Sequence, residues 1–190
     1  MLRQFINAFA MLLVFTVITG LVYPLAMTGL AQALFPYQAN GSIIVQDGKP
    51  IGSALIGQSF TSPHYFHGRP SAAGTDGYDA ASSGGSNLGP TSKKLVDAVT
   101  DNIAKVREEN QLDEAKLVPA DLVLSSGSGL DPDISPEAAY VQIERITNER
   151  GIAAGKVRNL VDQHVKNRQM GIFGEPRVNV LELNLALDAL

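Results

Sequence analysis

The sequence predicts an α+β protein, with one N-terminal transmembrane helix followed by a single soluble α+β domain. Three observations carry this. Gln4 to Gln46 is a run of 43 residues without a formal charge. Strand-like segments lie toward both ends of the remainder, and helix-patterned segments lie between them. The expected organisation is an N-terminal segment at residues 1–35, with its membrane helix over about 8–30, then a soluble domain at residues 36–190.

Met11 to Leu30, MLLVFTVITGLVYPLAMTGL, supplies the roughly 20 apolar residues that a bilayer crossing requires. Ala31-Gln32-Ala33 has the small-x-small form of a signal cleavage site. The apolar run, however, exceeds the roughly 7–15 residues of a signal core, so an uncleaved anchor is expected. Pro24 is no obstacle, because neighbouring helices can satisfy the carbonyl it frees. Arg3 and the terminal amine precede the span, and no cation follows it until Lys49. That asymmetry predicts a single-pass protein of a bacterial inner membrane with a cytoplasmic N-terminus and a periplasmic domain. Thr16, Gly20, Pro24 and Thr28 recur every four residues, a stripe of small or weakly polar side chains through which membrane helices pack. The plainer reading is that such residues are common in membrane helices.

After the span, SIIVQ, Asp47-Gly48 and KPIGSALIG predict a hairpin, with Pro50 marking an edge strand. Residues 61–92 are rich in Gly, Ser and Pro and lack any period, so they form a long irregular loop. Leu95, Val99, Ile103 and Val106 then recur at helical spacing, with Thr91 or Ser92 as N-cap and Asn110 near the polar end. VPADLVLSS reads as a short buried strand. Ser135 caps a helix opened by Pro136 and Glu137, with Ala139, Tyr140, Ile143 and Ile146 inward and Gly151 at its end. A further helix turns Val157, Leu160, Val161 and Val165 inward. In PRVNVLELNLALDAL, Val178 and Val180 alternate and Leu181, Leu183, Leu185 and Leu187 then hold the odd positions, which predicts a strand from its start to about Asn184.

Composition narrows the function. Apart from Arg3 the chain carries 14 basic and 19 acidic residues with no basic stripe, which argues against nucleic acid and against polybasic attachment to anionic lipid. The absence of cysteine fits any redox compartment. His64 and His67, without a nearby carboxylate or thiolate, fall short of a zinc ligand set, so no metal is expected. Tyr65 and Phe66 beside them read as anchors of the loop. Asp131 and Asp133 in GLDPDIS read as turn chemistry rather than a catalytic pair. Ser83, Ser86, Ser126 and Ser128 have no histidine close in sequence, so no catalytic residue is expected.

The loop SSGGSNLGPTS, residues 82–92, holds the remaining candidate site. Gly84 and Gly89 have the glycine spacing of a phosphate-binding loop, but Pro90 stands where that motif places lysine. The amides of Gly84 and Gly85, with Ser83, Ser86 and Asn87, could form an anion-binding nest. The competing reading is that the glycines supply positive φ and the loop serves as turn, helix cap or partner contact.

Taken together, GQSF at 57–60, YFHGRPSA at 65–72, SGGSNLGPTS at 83–92, VPADLV at 118–123, SGSGLDP at 126–132 and FGEPRVNVLELN at 173–184 are highly specific. With the N-terminal span, they make the chain resemble, over nearly its full length, the KdpC family of bacterial potassium-transporting ATPases. The resemblance implies an accessory subunit of a high-affinity, ATP-driven potassium uptake system that is not an enzyme by itself. Its partners would be a potassium-selecting channel-like subunit, an ATP-hydrolysing P-type subunit and membrane lipid. Potassium would be transported by the complex, and ATP could be engaged through a ternary complex with the hydrolysing subunit, whose ATP affinity the small subunit raises as a catalytic chaperone. The Gly/Ser loop is compared with the Leu-Ser-Gly-Gly-Gln signature of ABC transporters, but here Ser82 replaces the Leu and Ser86 the Gln. Asp133 also stands where the family's Leu-Asp-Pro-His-Ile-Ser-Pro stretch has histidine. Independently of any pump, an anchored extracytoplasmic binding domain for a small anion or peptide would fit the Gly/Ser loops.

Overall fold

The structure is a computed structural model that describes every residue, Met1–Leu190. The chain forms two compact units, Met1–Ile51 and Gly52–Leu190.

In the first unit, α1 (Leu2–Val17), a π-helical turn at Ile18–Val22 and α2 (Tyr23–Leu34) form one continuous helix of 33 residues. At 1.5 Å per residue it is about 50 Å long, more than enough to cross a bilayer. No residue of this helix is buried within the protein, so its Leu, Ile, Val and Phe side chains all face outward. A four-residue repeat overshoots a 3.6-residue turn by about 40°. The π turn lies within the repeat, between Thr16 and Pro24, and includes Gly20. A short turn of helix, α3 (Pro36–Ala39), leads to the hairpin of β1 (Ile43–Gln46) and β2 (Lys49–Ser53). Asp47 and Gly48 have φ of 51° and 76°, the pair of left-handed residues that a tight type I′ turn requires. β2 stops at Ser53, where the hydroxyl accepts the Leu55 amide at 3.1 Å and bends the chain away.

The second unit takes in the last two residues of β2, Gly52 and Ser53, and continues as an irregular segment from Ala54 to Ser92. There follow α4 (Lys93–Asn110), β3 (Asp133–Ile134), α5 (Pro136–Arg150), α6 (Ala154–His164), β4 (Val165–Lys166), β5 (Arg177–Asn179) and α7 (Val180–Asp188). The three strands make an antiparallel sheet in the order β3-β5-β4, with Val178 opposite both Ile134 and Val165. The core packs Ile146 of α5, Val157 and Val161 of α6 and Leu183 and Leu187 of α7 against Ile134 and Val178 of the sheet. Local chemistry sets the helix ends. Ser135 accepts the Ala138 amide at 3.1 Å to open α5, and Gly151 closes it at φ 66°. Ser92 occupies the N-cap of α4, as predicted, although its hydroxyl makes no capping bond.

Three elements differ from the sequence reading. VPADLVLSS is no strand: Ala120–Leu122 is a 3-10 turn in which the Leu122 amide bonds the Pro119 carbonyl. Asp121 fixes this turn to the next helix, its carboxylate accepting both the backbone N–H and the hydroxyl of Ser135. The C-terminal strand ends at Asn179, and the rest is helix α7. The Asn179 side chain accepts the Glu182 amide at 3.0 Å, a helix start that the Asn-x-x-Glu spacing encodes. Val165 points toward the core from β4, because α6 ends one residue earlier at His164.

Candidate functional site

Two side-chain amides organise the long loop. Asn184 of α7 accepts the Phe66 amide at 2.8 Å and donates to the Phe66 carbonyl at 2.9 Å. Gln142 of α5 accepts the His67 amide at 2.7 Å and donates to the His67 carbonyl at 3.1 Å. Each amide thus pairs with both backbone groups of one loop residue, as a neighbouring strand would, and both are buried. Arg145 extends the clamp. Its guanidinium donates to the Asn110 amide oxygen at 3.1 Å, to the Gln142 amide oxygen at 2.8 Å and to the carbonyls of Pro63 and Tyr65. Phe66 is thereby held fully buried, as the expected anchor of the loop. Tyr65, half-buried, stacks under the Arg150 guanidinium and donates to Asp188 at 3.0 Å.

The clamped loop presents its next residues to the segment 126–131, where the motifs noted in the sequence meet. Ser71 donates to the Gly129 carbonyl at 2.6 Å and accepts the Tyr78 amide at 2.7 Å. The Gly57 amide bonds the Leu130 carbonyl at 2.8 Å. The Gly84 amide and the Ser83 hydroxyl both donate to the Ser128 carbonyl, at 2.8 and 3.0 Å. Side-chain-free positions make this approach feasible: a Cβ on Gly85 would lie 3.0 Å from the Gly127 carbonyl oxygen, and one on Gly129 would lie 2.6 Å from the Gly84 carbonyl oxygen. GQSF, GRPSA, SGGSN and SGSGLDP therefore form one joint, in which backbone amides and serine hydroxyls bond backbone carbonyls.

For the five candidate nucleotide contacts this geometry has consequences. An anion nest needs inward-facing free amides, yet the Gly84 N–H and Ser83 O–H point at a carbonyl oxygen. Positive φ does not belong to Gly84 or Gly85; it belongs to Asn87, at 53°. Ser86 and Asn87 are exposed. Asn110 closes α4 at the expected polar end, and there it is buried and paired with Arg145.

The acidic candidates are placed by ion pairs. Asp131 accepts the Asp133 amide at 3.0 Å, the local turn bond expected of it, and holds Arg69 at 3.1 Å. Asp133 pairs with Arg177 at 2.9 Å, while its burial raises its pKa against that cation's pull. His67 lies 3.4 Å from Glu109 and 3.0 Å from the Ser62 carbonyl. Burial first, and the Arg145 charge second, hold the His67 pKa below the ordinary value. His67, Arg69, Lys105 and Glu109 border a polar cleft of about 250 Å³. Its principal groups already have partners within the protein, Lys105 included, 3.8 Å from Glu109.

Gln142, Asn184 and Arg145 were not singled out from sequence, although a signal existed. Gln142 sits at the inward position of the series 139, 142, 143, 146, and Asn184 in the series 180, 183, 184, 187, so each interrupts an apolar face with an amide.

The family model described as "KdpC: K+-transporting ATPase, c chain" matches residues 5–189. The chain is 54% identical to a potassium-transporting ATPase KdpC subunit of Rhodopseudomonas palustris over 200 aligned positions, covering 100% of this chain and 99% of the relative. It is 54% identical to that of Gemmatimonas aurantiaca, covering 100% and 94%. It is 55% identical to that of Mycobacterium tuberculosis, covering 100% of both. Several motifs that carry the likeness form the joint described above, and the likeness runs from the apolar helix to the last helix: the chain belongs to the KdpC family of potassium-transporting ATPase subunits.

Proposed function

We propose that this chain is a non-catalytic, single-pass subunit that assembles with a potassium-selecting subunit and an ATP-hydrolysing subunit and raises the latter's ATP affinity without holding the nucleotide itself. The observation that carries the last clause is the pairing of the Gly84 amide and the Ser83 hydroxyl with the Ser128 carbonyl, which puts an acceptor where a phosphate would need donors. The loop of Ser83, Gly84, Gly85, Ser86 and Asn87 then acts as a structural joint whose exposed tip, Ser86 and Asn87, faces a partner. Coupling to ATP is indirect: a subunit that binds one conformational state of the pump more tightly shifts the pump toward that state, and nucleotide affinity follows by linkage. The stripe of Thr16, Gly20, Pro24 and Thr28 is the packing face for a partner helix in the membrane, and the N-terminus is cytoplasmic with the larger unit periplasmic.

The test is to co-express the chain with the two large pump subunits and compare complexes with and without it. The expected result is stoichiometric co-purification in mild detergent, and a higher apparent ATP affinity when the chain is present. A nucleotide photoprobe should label the hydrolysing subunit alone. Labelling within 83–87 would overturn the indirect mechanism, and purification of the chain alone would favour the independent anchored binding domain. Leu117 is 89% exposed. Leu117→Cys, in a chain without other cysteines, should react with an impermeant maleimide on spheroplasts; reaction only after lysis would reverse the orientation.

A further inference from the structure

β4 and β5 are joined by a projecting hairpin that the joint and the clamp do not use. Its tip exposes Met170 at 90%, Ile172 at 72% and Phe173 at 63%. Elsewhere in residues 52–190 the large exposed apolar side chains stand singly or, at Leu55 and Ile56, as one adjacent pair. Three together at the end of a hairpin form a knob.

The knob is built rather than frayed. Gln169 and Phe173 exchange both backbone bonds, the Gln169 amide to the Phe173 carbonyl at 2.8 Å and the reverse at 3.0 Å. The turn between them closes with the Ile172 amide on the Gln169 carbonyl, at 3.1 Å. Met170, Gly171 and Gly174 take left-handed conformations that hold this shape. Arg168 and Glu175 pair across its base at 2.6 Å.

We propose that this tip is a docking element that inserts into an apolar pocket on the extramembrane surface of another subunit of the same pump. The inference rests on the reading of the chain as a pump subunit. Three arguments select that occupant. The cations beside the tip are already neutralised, Lys166 by Glu182 at 2.6 Å, Arg168 by Glu175 and Arg177 by Asp133. With a net charge of −4, the chain therefore offers little to anionic headgroups, and a lipid surface is disfavoured. Three side chains at a hairpin tip cannot reach the roughly 1,200 Å² of a free-standing interface, so self-association through the tip is disfavoured too. A small apolar anchor is sufficient where the partner is already held by a second contact, because linkage through the membrane helix raises the effective concentration. An aromatic side chain entering a dry pocket is the usual form of such an anchor.

The test uses the full chain in membranes co-expressing the other subunits. Phe173→p-benzoylphenylalanine is irradiated beside Leu117→p-benzoylphenylalanine as an exposed control, and adducts are identified by mass spectrometry. The expected result is an adduct from position 173 to one large pump subunit, absent from position 117. In parallel, M170S/I172S/F173S should recover about tenfold less of the large subunits under stringent detergent, with unchanged thermal unfolding of the chain. An adduct to lipid or to a second copy, no adduct above the control, or undiminished recovery would each overturn the proposal. If the unsubstituted chain co-purifies with the pump and position 173 gives no adduct, only the docking role fails. If it does not co-purify, the subunit reading fails and takes the docking role with it.

Discussion

Gly84 and Gly129 face each other across the joint but are not equivalent. Gly129 has φ of 68°, and a Cβ there would meet the Gly84 oxygen at 2.6 Å and the Ala73 amide nitrogen at 2.7 Å. At Gly84 the nearest atom is 3.9 Å away and φ is negative. Gly129→Ala should therefore cost about 1–3 kcal/mol from backbone strain alone, while Gly84→Ala should be nearly neutral; thermal unfolding of the two variants in detergent checks the contrast. His67 supplies a pH dependence. Because burial and Arg145 lower its folded pKa, the unfolded chain binds a proton first as pH falls below the ordinary histidine value of 6.5. Stability is thus undiminished above that pH and declines as pH drops toward the folded pKa. Asp133 acts in the opposite direction lower down, since its raised pKa lets the folded state take up a proton first. His67→Gln should flatten the slope of stability against pH just below 6.5 whatever it does to stability at pH 8, and a slope identical to that of the unsubstituted chain would exclude His67 as its source.

At the scale of elements, the clamp is the main departure from what the sequence made legible. The helices over 93–110 and 136–150 were readable because capping residues and apolar spacing agree there. The hairpin turn was readable because Asp-Gly admits few conformations. By contrast β3 and β4 are two residues long and carry no period to detect, and α7 was obscured because its leucines alternate as well as recur at helical spacing. The joint was invisible for a different reason: its members, between residues 57 and 131, are brought together by long-range bonds to backbone carbonyls that no local pattern announces. The buried amides decide how that loop is held, and this is testable. Gln142→Leu retains the bulk and leaves the His67 amide and carbonyl unpaired, at a cost of about 1–3 kcal/mol for each group so stranded. Limited proteolysis of Gln142→Leu and of Asn184→Leu should cut within residues 54–92 well before the helices, whereas the unsubstituted loop resists. Equal resistance would mean that apolar packing of Phe66 alone secures the segment.

For the molecule as a whole, the proposed role asks the membrane helix to serve two surroundings, lipid on most of its face and a protein neighbour on one stripe. The four-residue spacing is plain in the sequence, whereas the π turn at Ile18–Val22 was not announced by it. Gly20 lies inside that turn, and nothing stands within 4 Å of the place a Cβ would occupy. A larger side chain there meets no obstacle in the lone chain, and leucine favours helix over glycine by close to 1 kcal/mol. Gly20→Leu should accordingly leave expression, membrane insertion and thermal unfolding of the chain unchanged. Its effect should be confined to partners, because a neighbouring helix packed against a glycine face is displaced by an isobutyl group. Recovery of the large subunits should fall sharply for Gly20→Leu and stay normal for Leu21→Gly, which enlarges no side chain, with quantitative immunoblotting of purified complexes as the measurement. Equal recovery from both would place the partner contact on another face of the helix, and the four-residue stripe would then reflect nothing more than the ordinary composition of a membrane span.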